Sequence, residues 1–210
     1  MEQVEQDLFI LENEKRFESR HETKMPLSFS DQIKLKGKLL AQGMKQLYPP
    51  RKINSTYFDT NEFLFFYDSE EGVLPREKVR LRHYNEDKTT LLFERKRTVY
   101  HGKKKFSVKI SRDKANQFLS QGLVYYGARN VYPCVSVSYL RSYFFLKNIR
   151  ITFDSNIAYQ LIGSKQVLHD KLTVVEFKFP IGTSDTIKGL SLISSRFSKY
   201  NNAIKYTYGF

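Results

Sequence analysis

Much of the chain alternates between polar and apolar residues with a period of two. Side chains of a strand point to opposite faces in turn, so this pattern predicts β-strands where Val, Ile, Thr, Phe and Tyr are frequent. Hairpin turns are predicted at Asn85-Glu86-Asp87 and at His101-Gly102. The predicted strands lie near 16–27, 52–59, 77–85, 90–99, 103–111, 133–146, 149–154 and 172–180.

Three further segments have apolar residues at helical spacing instead. They are 30–48, which ends before a pair of prolines, 113–120, and a segment from about 184 towards 197. Helices inserted between groups of strands predict an α+β fold built mostly on antiparallel pairs. Residues 1–14 are predicted to form a loosely ordered leader, and residues 15–210 a single domain.

The predicted strands have one charged face and one apolar face. In one of them Lys78, Arg80 and Arg82 share a face, while Val79 and Leu81 share the other. Every sheet with one face in water shows such alternation, so a half-solvated sheet is the simplest interpretation. The charged faces are nevertheless biased towards Arg and Lys, and crowded like charges repel unless a counter-ion is present. Arginine in particular matches the oxygens of a phosphate group.

The charge of the whole chain also favours an anionic partner. The 210 residues include 35 Lys and Arg against 22 Asp and Glu, with a formal net charge of +13 and a pI near 9.7. Such a balance suits nucleic acid, phosphorylated small molecules or an anionic membrane surface. No helix-turn-helix, zinc-finger or RNA-binding aromatic motif is recognisable, so no specific nucleic acid is expected.

Cysteine content and hydropathy indicate which covalent links, metal sites and cellular compartment to expect. Cys134 is the single cysteine, which excludes an intrachain disulfide and a cysteine-based zinc site. No apolar run approaches the roughly 20 residues that a membrane-spanning helix needs. A cytoplasmic protein without a membrane span is therefore expected.

If the sheet closed into a barrel, its charged faces could line the interior instead of facing bulk water. A closed antiparallel barrel of about eight strands has an interior just wide enough for side chains or one slender ligand. Charged faces pointing inward would make a cationic tunnel for a linear polyanion, with helices flanking the apolar outer faces. The few carboxylates among the cations could then hold a divalent metal that bridges phosphate oxygens.

Eight short motifs also occur in the order typical of one protein family. Together they span most of the chain, and the pattern resembles the VTC domain, the polyphosphate polymerase domain of the vacuolar transporter chaperone complex. That domain belongs to the triphosphate tunnel metalloenzymes, alongside the CYTH proteins, and a stand-alone member of bacterial type is expected here. The motifs are Arg20-His-Glu22-Thr-Lys24, Ser55-Thr-Tyr57-Phe-Asp59-Thr60, Lys78-Val-Arg80-Leu-Arg82-His-Tyr84, Phe93-Glu94-Arg-Lys96, Tyr139-Leu-Arg141, Arg150-Ile-Thr-Phe-Asp154, Val175-Glu176-Phe-Lys178 and Phe197-Ser198-Lys199-Tyr200.

The resemblance implies roles for individual side chains. The residues it implies as catalytic contacts to phosphate are Lys24, Arg80, Arg82, Lys96, Arg141, Arg150 and Lys199. Further phosphate-binding residues are Lys105, Tyr139, Ser198 and Lys178. The resemblance implies Mn²⁺ or Mg²⁺ at Glu176, with Glu22 and Glu94 as further acidic positions. Arg20 stands where the superfamily usually has a first Glu, which argues against a two-metal scheme.

Three functions fit these residues. The first is synthesis of polyphosphate from ATP, in which positioning and charge stabilisation do most of the catalytic work. The second is hydrolysis of an inorganic or nucleoside triphosphate at the same site, and the third is binding of polyphosphate without turnover. ATP, triphosphate or polyphosphate is thus the expected partner; a membrane-protein partner is compatible with the sequence, and the oligomeric state is open. Asp59 and Asp154 are predicted to cap turns, and Tyr57 to be a core aromatic.

Overall fold

The computed structural model describes residues 16–17, 21–125, 129–180, 187, 190 and 193–210. The strands of this part of the chain are β1 Arg16–Phe17, β2 His21–Leu27, β3 Lys45–Asp59, β4 Arg76–Tyr84, β5 Asp87–Val99, β6 Gly102–Ile110, β7 Leu123–Tyr125, β8 Arg129–Leu146, β9 Ile149–Leu161, β10 Val167–His169 and β11 Thr173–Phe179. The helices are α1 Phe29–Ala41, α2 Leu64–Glu71, α3 Arg112–Gln121 and α4 Lys199–Tyr208.

The strands form a mostly antiparallel sheet, as the sequence predicts. Their hydrogen-bonded order is β1-β6-β5-β4-β3-β8-β9-β11-β2, with β10 beside β9 and β7 beside β8. This order is open, because its two terminal strands, β1 and β2, are not partners in the described residues. The predicted closed barrel is therefore corrected to an open sheet. Alternation specifies the face on which a side chain lies, whereas closure depends on strand tilt and shear, which alternation does not encode.

The chain divides into two compact units, and long strands such as β3 and β8 contribute to both. Unit 1 comprises residues 1–18, 56–83 and 87–134, and unit 2 comprises 19–55, 84–86 and 135–210. The prediction that 15–210 form a single domain stays a prediction. The predicted leader, 1–14, lies outside the described residues.

The core of unit 1 lies between α3 and the apolar faces of β4 and β5. Val79 and Leu81 are buried together with Phe93, and Phe118 of α3 packs on the Phe93 ring at 5.8 Å between centroids. Helix α3 begins after Ser111, whose side chain accepts a hydrogen bond from the Lys114 amide. The apolar faces predicted from alternation are therefore the faces that pack on helices.

The core of unit 2 has the same arrangement with α1. Leu35 and Leu39 of α1 are buried in one cluster with Phe153, Val175 and Phe177, which alternate with charged residues along β9 and β11. Among the described residues, no helix combines the length and apolar character needed to cross a membrane.

The helix boundaries correct two predictions. Helix α1 ends at Ala41 rather than near residue 48, because Gly43 turns the chain with a φ of 92° and β3 then begins at Lys45. The pair of prolines that was expected to end the helix lies inside β3. Half of the third predicted helix, 184–197, falls outside the described residues, and its described positions, 187, 190 and 193–197, are not helical.

Candidate functional site

The charged face of unit 2 is built from rows of side chains across neighbouring strands. In β2, β11, β9 and β8, Lys24 pairs with Glu176, Glu176 with Thr152, and Thr152 with Tyr143. Directly opposed residues of antiparallel strands share a face, so these four side chains lie side by side. The row beside it contains Glu22, Lys178 and Arg150.

Asp154 anchors two of the predicted phosphate-binding cations. Its carboxylate is fully buried and accepts two hydrogen bonds from the Arg141 guanidinium, at 2.6 and 2.7 Å. Lys199 Nζ donates a third, at 2.6 Å to Oδ2. Burial alone would raise the pKa of Asp154, but Lys199 and Arg141 outweigh it and hold the pKa well below its ordinary value. Asp154 is therefore an ionised anchor for both cations.

An aromatic ring fixes the same two cations from another side. Arg141 and Lys199 lie over the buried Tyr139 ring, 5.4 and 4.6 Å from its centroid. Lys199 opens helix α4, whose preceding residue Ser198 accepts a hydrogen bond from the Asn201 amide. Ser198, predicted to bind phosphate, thus caps α4 and sets the position of Lys199.

Two carboxylates of unit 2 converge on one lysine. Lys178 Nζ lies 2.7 Å from Glu22 Oε1 and 3.2 Å from Glu176 Oε1. Burial alone would raise the pKa of Glu176, but Lys24, Lys178 and Arg141 outweigh burial. The pKa of Glu176 is therefore below its ordinary value. Both carboxylates are therefore within reach of a single cation.

Unit 1 carries a second cluster of cations around one carboxylate. Glu94 Oε2 lies 2.7 Å from Arg80 Nε and 3.4 Å from Arg82, and Glu94 Oε1 lies 2.7 Å from Lys105 Nζ. Burial raises the pKa of Glu94, but the three cations lower it to about 2. Lys96 stands directly opposite Lys105 in the β5–β6 register, which adds positive charge to this face.

Arg80 is held by an aromatic residue as well. Its guanidinium donates a hydrogen bond of 3.0 Å to the Tyr57 hydroxyl, and it lies 5.7 Å from the centroid of that ring. Tyr57 is buried, as predicted for a core aromatic, and in addition its hydroxyl serves the charged face. Arg80 and Arg141 are thus each fixed by a carboxylate and a tyrosine.

Burial distinguishes these faces from the solvated face of an ordinary sheet. Asp154 is 0% exposed, Glu94 3%, Arg82 6% and Glu176 8%. Charged side chains are rarely buried unless they are paired, and these are held by the contacts described above. The charged face of each unit is therefore an ordered, partly dehydrated surface.

The predicted site residues divide between the units. Those in unit 1 are Arg80, Arg82, Glu94, Lys96 and Lys105. Those in unit 2 are Glu22, Lys24, Tyr139, Arg141, Arg150, Glu176, Lys178, Ser198 and Lys199. Arg150 is solvent-exposed, unlike its strand neighbours Thr152 and Asp154, and Arg20 lies outside the described residues.

The described residues contain no cluster of three or more His, Cys, Asp or Glu side chains suited to a metal. Glu22 and Glu176 nevertheless fit an ion that draws its remaining ligands from phosphate and water, since Mg²⁺ often uses only one or two carboxylates. Glu94 is surrounded by three cations, which favours a role in holding those cations over metal binding.

The sequence prediction missed one functional candidate, Asp154. Asp154 was expected to cap a turn, but it anchors Arg141 and Lys199 instead. The signal was available, because Arg150, Thr152 and Asp154 share the charged face by their spacing of two.

Solved structures that are similar to this chain include the following three. A proposed adenylate cyclase from Bacillus halodurans has 17% sequence identity, covers 81% of this chain and 83% of its own, and has a TM-score of 0.54. One from Vibrio parahaemolyticus has 14% identity, coverages of 80% and 79%, and a TM-score of 0.47. A proposed adenylyl cyclase from Hippeastrum, described as having a dominant triphosphatase activity, has 11% identity, coverages of 76% and 79%, and a TM-score of 0.47.

The comparison with family models covers nearly the whole chain. A search of curated proteins finds no match. The model of the VTC domain, in contrast, matches residues 19–208. This range includes both charged faces and every residue implied by the motifs, which confirms the resemblance seen in the sequence. The chain belongs to the VTC domain family.

Proposed function

We propose that this protein binds linear phosphate chains on the charged face of each unit and transfers phosphoryl groups, making polyphosphate from ATP. The observation that carries the proposal is the buried cluster in which Asp154 and Tyr139 hold Arg141 and Lys199 in fixed positions. A fixed guanidinium fork and a neighbouring ammonium group suit adjacent oxygens of a phosphate chain.

The chemistry needs no covalent intermediate with the protein. An oxygen of a terminal phosphate forms a bond to the γ-phosphorus of ATP, the bond from that phosphorus to the β–γ bridging oxygen breaks, and ADP leaves. Arg141 and Lys199 contribute positive charge that is already in position, so little reorganisation is required as charge moves towards the leaving oxygen. Glu176 and Glu22 would hold Mn²⁺ or Mg²⁺, which supplies further positive charge to the phosphate oxygens.

The cluster of unit 1 supports the same ligand class. Arg80, Arg82 and Lys105 converge on Glu94, so three cations are held against one carboxylate in the described residues. A phosphate chain would meet these cations without the cost of ordering them, because Glu94 and Tyr57 already fix their side chains. This arrangement binds anions in general; the family makes a phosphate chain the specific proposal.

The test is an incubation of the purified protein with ATP and Mn²⁺, with products resolved by chain length. Long chains establish the proposed polymerase, whereas orthophosphate and ADP alone establish a triphosphatase. If no product forms but polyphosphate binds, the protein is a binding module. Arg141→Ala and Arg80→Ala should each lower binding at least tenfold, since a hydrogen bond to a charged group contributes about 1.5–3 kcal/mol.

A matched control removes a cation elsewhere. Lys34 lies on α1 with its side chain 73% exposed, so Lys34→Ala should leave binding and turnover unchanged. Equal losses in Lys34→Ala and Arg141→Ala would show only a general dependence on net charge and would contradict the proposed site.

A further inference from the structure

One buried hydroxyl on the charged face of unit 2 has no hydrogen-bond partner in the part of the chain that the structure describes. Thr152 is 4% exposed, and its Oγ1 makes no hydrogen bond within the described part of the chain. Other buried hydroxyls of the protein do have partners: the Tyr159 hydroxyl donates to Asp170 at 2.6 Å, and the Tyr57 hydroxyl accepts from Arg80. A buried polar group without a partner costs free energy, so Thr152 stands out.

The neighbours of Thr152 in the sheet belong to the candidate site. It lies between Glu176 on β11 and Tyr143 on β8, and it shares the face of Asp154, the next residue but one along β9. Directly opposed side chains in antiparallel strands have Cβ atoms about 4.5–5.5 Å apart. Thr152 is therefore the cross-strand neighbour of Glu176 and lies two residues from Asp154, which holds Arg141.

A purely structural reason does not account for threonine at this position. Valine has nearly the same shape and the same preference for strands, and it would place no unpaired hydroxyl in a buried row. A buried threonine hydroxyl costs free energy unless another group completes its hydrogen bonding, and no side chain or backbone group of the described residues does so here. Such a group is explained if a ligand completes its hydrogen bonding.

We propose that Thr152 is a further phosphate-binding residue, whose Oγ1 donates a hydrogen bond to a phosphoryl oxygen of a chain bound beside Glu176. This inference rests on the proposed function, because it requires a phosphate ligand on this face. Thr152 adds a short, uncharged donor between the cationic cluster at Asp154 and the carboxylate pair. Its role is to fix the register of the phosphate chain between these two groups.

The experiment compares Thr152→Val and Thr152→Ser with the unaltered protein by calorimetric titration with tripolyphosphate, with and without Mg²⁺. Thr152→Val should weaken binding about tenfold, as expected for loss of one hydrogen bond to an anion. Thr152→Ser should stay within about threefold of the unaltered protein. The midpoint of thermal unfolding of ligand-free Thr152→Val should be equal to or higher than that of the unaltered protein.

Thr23→Val is the matched control, because Thr23 is buried in β2 on the opposite, apolar face. Unchanged affinity in Thr152→Val would overturn the inference while leaving the proposed function intact. An equal loss in Thr23→Val, or a lower unfolding midpoint in Thr152→Val, would also overturn it, since either shows a packing effect. If the unaltered protein binds no tripolyphosphate at all, the proposed function fails and this inference fails with it.

Discussion

Replacing Glu94 with Gln should destabilise the ligand-free protein by about 3 kcal/mol at pH 7. The pKa of Glu94 is lowered from 4.5 to about 2, and each pKa unit corresponds to about 1.4 kcal/mol of preference for the charged form in the folded state. The Glu94 side chain is 4% exposed, so solvent screens it little, although Lys105 at 38% is more accessible. The amide of Gln keeps the shape but removes the charge that Arg80 and Arg82 face.

The same shift predicts how the effect depends on pH. A carboxyl group whose pKa is lowered by folding stabilises the protein above its unfolded-state pKa and loses that effect as the pH falls through the folded-state pKa. For Glu94 the stabilisation is lost as the pH falls through the range from 4.5 to about 2. The stability difference between the unaltered protein and Glu94→Gln should therefore decline from about 3 kcal/mol at pH 7 to about 1 kcal/mol at pH 3.

Urea unfolding at a series of pH values between 7 and 3 measures this difference. Glu86→Gln is the control, because the Glu86 side chain is 77% exposed in an ion pair with Lys52 of β3 and should change stability by less than about 0.5 kcal/mol. A loss below 1 kcal/mol for Glu94→Gln at pH 7, or a difference that does not change with pH, would refute the argument that Glu94 is an ionised anchor.

Three further changes should affect stability through different contacts, each measured by urea unfolding beside the unaltered protein. Asp154→Asn should cost about 3–5 kcal/mol, because two buried cations lose their carboxylate; a loss under 1 kcal/mol would contradict that anchor role. Asp59→Ala should cost about 2–4 kcal/mol, because its carboxylate accepts from the Thr60 amide and from the Phe65 and Phe66 amides at the start of α2, while tripolyphosphate affinity stays unchanged. Gly122→Ala should cost about 2–4 kcal/mol, because Gly122 has a φ of 74° and an added Cβ would lie 2.6 Å from the Val131 carbonyl oxygen.

Local signals made the long strands and two helices, α1 and α3, predictable. Alternation identified β4 and β11 because every second residue of these strands enters a helix-covered core. The end of α1 was wrong because Met44 fits helical spacing and is buried with Leu39, yet it reaches that core after a turn at Gly43. Burial and spacing alone cannot distinguish these two routes into one core.

Helix α2 was missed for a different reason. It begins after Phe63, which has a positive φ of 56° and provides no side-chain cap. The Leu64 amide donates instead to the Thr60 hydroxyl, and the Phe65 and Phe66 amides donate to Asp59, six and seven residues earlier. The usual sequence signal for a helix start is a capping residue directly before it, and this helix has none.

The site could be predicted as a set of residues but not as a geometry. Period-two spacing and the family motifs identified Arg141 and Lys199, yet Asp154 joins them across 13 and 45 residues of sequence. That contact depends on the register of β8 with β9 and on where α4 begins. Neither the strand register nor the start of this helix follows from residue spacing in a single sequence.

The carboxylates on the charged faces hold cations without neutralising them. In the described residues Glu94 meets three cations and Asp154 meets two, so positive charge remains in excess in each cluster. A bound phosphate chain would offset that excess, and a ligand present at one hundred times its Kd stabilises a protein by about 2.7 kcal/mol. Glu94→Gln and Asp154→Asn enlarge the excess, whereas Asp59→Ala removes the carboxylate that accepts hydrogen bonds from the Phe65 and Phe66 amides. Tripolyphosphate should therefore restore a larger share of the lost stability in the first two variants than in the third, and equal recovery in all three would show that these carboxylates are not part of a phosphate site.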